Sequence, residues 1–177
     1  RFRNVTGVQT CALPIYHNAG HAANLQLALA NSCNSYFLQV FRMAIDNPQY
    51  HNAKKGYLQW KQYVNSFGLG RKLGIDLPSE NKASIPDTAQ YNKDFGGAKY
   101  WNSCFMLTLG IGQDRMTATP LQLANAMALI ANKGYYYTPH FVDSVEEEDA
   151  SDKKLLANFR VKQQVTKIPT EYYDIIK

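Results

Sequence analysis

No uninterrupted apolar run in these 177 residues approaches the roughly 20 that a membrane-crossing helix needs, and no basic-then-apolar leader opens the chain. Export is therefore not legible here. Clusters of one charge are missing as well. The net charge of +5 comes from lysines and arginines scattered among acids, which excludes a basic nucleic-acid surface. Histidine is scarce, and His17 and His21 have no third ligand nearby, so a structural or surface role outweighs a metal reading. Cysteine is limited to three positions, without the spacing of a redox pair or a zinc site. What is present is ordinary for a globular domain: 45% hydrophobic and 19% charged residues, enough to bury a core.

The opening segment 1–15, RFRNVTGVQTCALPI, has neither helical nor strand periodicity. From Val5 to Ile15 it resembles the in-frame translation of a sequencing-library adapter. It is read as non-native, joined near Tyr16 to the remaining 16–177 inside a truncated gene, and it is left out of the fold reasoning. Cys33 and Cys104 then remain, each in an apolar stretch, and buried free thiols are the favoured reading, with a disulfide the alternative in an oxidising compartment.

The chain is organised around Asn24–Ile45. Leu25, Ala28, Leu29 and Ser32 recur at i, i+3, i+4 and i+7, which predicts a helix with Ser32 at the end of its inward face. A second stripe follows in Phe37, Val40, Phe41, Ala44 and Ile45. The polar triplet Ser32-Cys33-Asn34 thus stands at a helix-helix corner, well placed to face a cleft, although Ser and Asn also favour such positions as caps.

Downstream, Asp46-Asn47-Pro48 breaks the helix, and Tyr57, Trp60, Val64 and Phe67 define another that Gly68 ends. From Gly70 to Lys99 the composition is that of irregular structure. Asp76 and Glu80 are the carboxylates there that an acid-base pair would use, and they are read as solvated loop residues. Phe105–Gly112 is a buried apolar run ending in a close turn. Thr119, Pro120 and Gln122 mark the start of a helix, whose apolar residues cover nearly all sides and predict all-round burial. Tyr135–Tyr137, His140–Val142 and Phe159–Val165 have strand composition. Glu146–Asp149 reads as a solvated loop, and Ile168-Pro169-Thr170 as the entry to a last helix.

Three runs, NSCNSYF, GLGRKLGIDLPSE and LGIGQDRMTATPLQLANAMALIANKG, together resemble the transpeptidase domain of class B penicillin-binding proteins, most closely the elongation-specific branch. The resemblance covers roughly His17 to Lys177. It implies a mixed α/β fold of the penicillin-binding and serine β-lactamase type, present in part and mainly as its helical portion. In that family S-x-x-K carries the nucleophile, S-x-N lies opposite it and K-T-G lines a strand. Ser32-Cys33-Asn34 matches S-x-N. The other two motifs are read as absent, so this stretch alone is expected to be inactive. Asp114 stands where the family usually has a glycine, and His140 matches a Pro-His pair expected to be structural.

The resemblance implies attack by a serine on a D-alanyl-D-alanine peptide, expulsion of the last alanine and transfer of the acyl group to an amine. The hydroxyl matching Ser32 would relay protons, since a hydroxyl both donates and accepts. The carboxamide matching Asn34 would hold the peptide-like backbone of substrate or β-lactam. No cofactor is implied. Peptidoglycan stem peptides, β-lactam antibiotics and cell-elongation membrane proteins are the implied partners, with a membrane anchor upstream and the catalytic domain outside the cytoplasm. A β-lactamase or D,D-carboxypeptidase, or a β-lactam sensor acylated without turnover, would share the same motifs.

Overall fold

The computed structural model describes residues 24–146, 149–165 and 168–176. The segment 1–15, His17 and His21 lie outside them. The architecture is mixed α/β and mostly helical, in two compact units: residues up to Lys61 with Pro86–Met116, and Gln62–Ile85 with the residues from Thr117 onward. Among the described residues, no helix is long and apolar enough to cross a membrane.

In the first unit, α1 (Leu25–Ala30) starts at Asn24, whose side-chain oxygen accepts from the Leu27 N–H at 2.9 Å. That bond satisfies one of the free donors of a helix start. The next helix, α2 (Asn34–Ile45), buries Leu38, Phe41 and Ile45. The expected stripe holds at Phe41 and Ile45 but not at Val40, which is 45% exposed, or Ala44, which is at the surface, and Leu38 is buried in their place. Both stripes have helical spacing. The choice between them is made by the neighbouring 3₁₀ helix Ser103–Ile111, the main packing partner of α2. This 3₁₀ helix takes the place of the apolar run expected over Phe105–Gly112.

The third helix, α3 (Ala53–Ser66), follows the expected pattern, with Tyr57 buried and Gly68 at φ 91° just past its end. A helix that composition had concealed, α4 (Thr88–Asp94), is capped by Asp87 and buries Tyr91. Aromatic rings fill this core: Trp60 stands edge-on to Phe41 at 5.1 Å, and Tyr91 lies 5.2 Å from Trp101. Such pairs add to the roughly 1.5–3 kcal/mol that burying one large apolar side chain contributes. Serine and carboxylate also meet here, with Ser103 Oγ donating to Asp46 Oδ2 at 2.7 Å.

The second unit is built on α5 (Pro120–Ala131). Its capping box forms as expected between Thr119 and Gln122. All-round burial does not: Leu123 is 51% and Met127 60% exposed. The inward face instead carries Gln122 and Asn125 beside Ala126 and Leu129. Gln122 Nε2 donates to the Arg71 and Lys82 carbonyls at 2.7 and 2.9 Å, so the buried amide is satisfied by main-chain carbonyls of the preceding loop. Beyond α5, β1 (Tyr135–Tyr137) pairs antiparallel with β2 (Lys162–Gln164), Tyr136 opposite Gln163. Leu129, Tyr136, Val165 and Tyr173 form the local core.

His140–Val142 is not a strand, because the Phe141 and Val142 N–H groups are taken by Asp76 Oδ2 at 2.8 and 2.7 Å. Phe159 closes a helix the sequence reading passed over, α6 (Ala150–Phe159), so only part of Phe159–Val165 is strand. Asp149, read as loop, caps α6 in a reciprocal bond with Asp152. The last helix, α7 (Thr170–Ile175), starts where Ile168-Pro169-Thr170 placed it.

Candidate functional site

Ser32 follows α1 in a turn with φ 47°, a left-handed value that costs a non-glycine residue strain. The turn is closed by main-chain bonds, Ser32 N–H to Leu29 O at 3.1 Å and Cys33 N–H to Ala28 O at 2.8 Å. This left-handed step overturns the expectation that Ser32 continues the inward face of α1. Ser32 is exposed, Cys33 is 3% exposed, and Asn34 is exposed as the first residue of α2. The triplet therefore alternates out, in, out, with its middle side chain held in the protein.

Capping does not account for the two polar residues. The N-cap of α2 is Cys33, which makes no side-chain cap bond. Among the described residues neither the Ser32 hydroxyl nor the Asn34 amide has a hydrogen-bond partner, and both residues are exposed.

The other candidates are occupied with structure. Glu80 accepts from the main-chain N–H groups of Leu73 and Gly74, the latter at 2.9 Å. Asp76 holds Phe141 and Val142. Each carboxylate is a backbone clamp, which corrects their reading as solvated loop residues and leaves no acid-base pair. Desolvation pushes the Asp76 carboxyl up, but the Val142 and Phe141 N–H groups, its own backbone and His140 outweigh it and leave it below the ordinary carboxylate range. His140 Nδ1 lies 2.9 Å from Thr138 O, and its ring stacks on Phe159. Cys33 is a buried free thiol as expected. Cys104, at the start of the 3₁₀ helix and only half-buried, is disulfide-bonded rather than free. Among the described residues no three His, Cys, Asp or Glu gather as a metal site.

The penicillin binding protein transpeptidase domain model matches residues 12–171. The chain belongs to that family. It is 35% identical over 127 residues to the peptidoglycan D,D-transpeptidase MrdA of Acinetobacter baumannii, covering 71% of this chain and 17% of that protein. Penicillin-binding protein H of Bacillus subtilis is 36% identical over 144 residues, covering 78% and 18%. A solved complex between penicillin-binding protein (PBP2) and MreC from Helicobacter pylori matches with a TM-score of 0.54 at 28% identity, over 78% of this chain and 24% of that one. The chain thus spans about a fifth of the length of these relatives.

The family's nucleophile spacing needs one correction. S-x-x-K does occur twice, at Ser79–Lys82 and Ser151–Lys154. Ser79 lies exposed in a turn. Ser151, in the first turn of α6, donates its hydroxyl to Asp149 Oδ1 at 2.7 Å, and both it and Lys154 are at the surface. A serine nucleophile needs a base drawn to its proton and a formed cleft. Neither serine has that setting, and both follow the S-x-N match instead of lying upstream of it. K-T-G is absent from the sequence.

Proposed function

We propose that this chain is part of a peptidoglycan D,D-transpeptidase of the cell-elongation type, contributing Ser32 and Asn34 to its acyl-transfer cleft. The observation that carries this reading is the triplet's geometry: two unpartnered polar side chains directed to solvent on either side of the buried Cys33. In the full-length protein the nucleophilic serine forms an ester with the penultimate residue of the stem peptide, and the amide bond to the terminal alanine breaks. An acceptor amine then displaces the enzyme and forms the new amide. Ser32 passes the proton to the departing amine, a task that suits a group able to donate and accept. Asn34 donates to a backbone carbonyl and accepts from an N–H, aligning peptide or β-lactam for attack. Neither task needs a cofactor.

On the same reading the protein is anchored in the cytoplasmic membrane with this domain outside, and a membrane partner of the kind seen in the PBP2–MreC complex binds the full-length chain. Residues 1–15 are an adapter-derived extension, and 16–177 are part of one transpeptidase domain.

Fluorescent penicillin tests the proposal. The 177-residue chain stays unlabelled, while the protein from the uninterrupted gene is labelled at a serine upstream of Tyr16. In that longer protein Ser32→Ala and Asn34→Ala each slow acylation by roughly 10²-fold or more, the scale of a lost acid-base group. Labelling of the short chain at Ser32, Ser79 or Ser151, or unchanged acylation in both variants, overturns the assignment.

A further inference from the structure

A cavity of about 450 Å³ opens in the second unit, lined by Tyr137, His140, Asp143, Leu156, Phe159 and Arg160. Its floor is apolar, since Leu156 and Phe159 are 7% and 3% exposed. The His140 ring lies parallel to the Phe159 ring, 4.6 Å between centroids and 4° between planes. Its Nδ1 faces the Thr138 carbonyl at 2.9 Å. A carbonyl only accepts, so Nδ1 is the donor in this contact.

The charges decide what such a cavity takes. Arg160 and Asp143 line it together, yet among the described residues they form no ion pair with each other or with any other group. Two opposite charges share one concave surface and are not paired with each other. A neutral ligand would use neither. A ligand of one sign would engage one and be repelled by the other. We propose that this cavity binds a short zwitterionic peptide, its carboxylate on Arg160, its ammonium on Asp143 and an aromatic or large apolar side chain over Leu156 and the His140–Phe159 pair. Arg suits the carboxylate because its planar fork matches two oxygens. The volume falls within the range of small-molecule sites, about 300–1,000 Å³, and leaves room for a dipeptide. This inference rests on residues outside the S-x-N triplet and does not depend on the acyl-transfer reading.

The test is an amide-proton NMR titration of the ¹⁵N-labelled chain with alanyl-phenylalanine and its two blocked forms, N-acetylated and C-amidated. Saturable shifts should gather on residues 137–143 and 156–160. Each blocked form, and each of the surface variants Arg160→Gln and Asp143→Asn, should bind about tenfold more weakly, the loss of one charged contact. Leu123→Ser, on the exposed side of α5, should bind as the parent does, and circular dichroism should be unchanged in all three variants. Equal binding of the three peptides would mean apolar adhesion only and would overturn the proposal. So would shifts elsewhere, or no saturable shift.

Discussion

The Tyr91 hydroxyl donates to Asp114 Oδ2 at 3.1 Å, and Asp114 holds φ at 76°. Glycine is the usual occupant of that backbone region because a Cβ there crowds the chain. Asp tolerates it better than most residues, and here its side chain gains a partner. The next residue, Arg115, pairs with Asp94, so two adjacent loop residues reach positions three apart on one face of α4. The turn where the family usually has glycine keeps glycine's conformation and adds a clasp.

Asp114→Ala keeps the strained conformation and removes the clasp, so it should cost about 1–2 kcal/mol in urea unfolding. Asp114→Gly removes both strain and clasp and should stay within about 1 kcal/mol of the parent. If alanine proved as stable as glycine at this position, the left-handed backbone would not be a constraint.

Alkaline pH should unfold the first unit. Burial, then the neighbouring Tyr57 and Asp114, push the Tyr91 phenol well above its ordinary value, and burial, Asp87 and Asp114 do the same for Tyr57. A raised folded-state value means the unfolded chain releases its protons first. The stabilisation is therefore complete below about pH 10, where unfolded tyrosine titrates, and is lost as pH rises toward the folded values. Tyrosinate absorbance and circular dichroism should change together above that pH for these two residues. Ionisation of both in an intact fold would contradict the burial argument.

At Gly56 the tertiary structure reverses a helix rule. Alanine in a helix interior normally gains about 1 kcal/mol over glycine. A Cβ at Gly56 of α3, however, would overlap the main-chain carbonyl oxygen of Ile45, a rigid neighbour. Gly56→Ala should destabilise by about 3 kcal/mol or more, visible as a large fall in Tm. A neutral or stabilised variant would show that α2 and α3 are not in this close contact.

Acid should loosen the clamp at Asp76. Its carboxyl sits below the ordinary range despite desolvation, held there by the Val142 and Phe141 N–H groups. A depressed folded value places the stabilisation above about pH 3.9, where the unfolded carboxyl titrates, and removes it as pH falls through the folded value. Asp76→Asn should lower Tm at neutral pH and flatten the acid limb of the Tm profile. Parallel profiles for variant and parent would mean that the carboxylate charge does not contribute.

The sequence by itself determined the elements whose signals lie within a turn of one another. Thr119, Pro120 and Gln122 announce α5 because a cap is a contact over three residues. Gly68 past α3 and Pro169 before α7 act over the same range. The triplet Ser32-Cys33-Asn34 was legible as a corner, and as S-x-N through family resemblance. Its membership in the transpeptidase family was legible in the ensemble of motifs. What only the tertiary structure decided is direction and partnership. Ser32 turned outward because one left-handed dihedral rotates the chain out of the α1 register. Asp76 became a clamp because its partners lie 65 and 66 residues away. The inward face of α5 went to Gln122 and Asn125 because remote carbonyls accept from their amides. Periodicity shows that a residue has a face, but which face is buried depends on the surfaces that the rest of the chain brings to it.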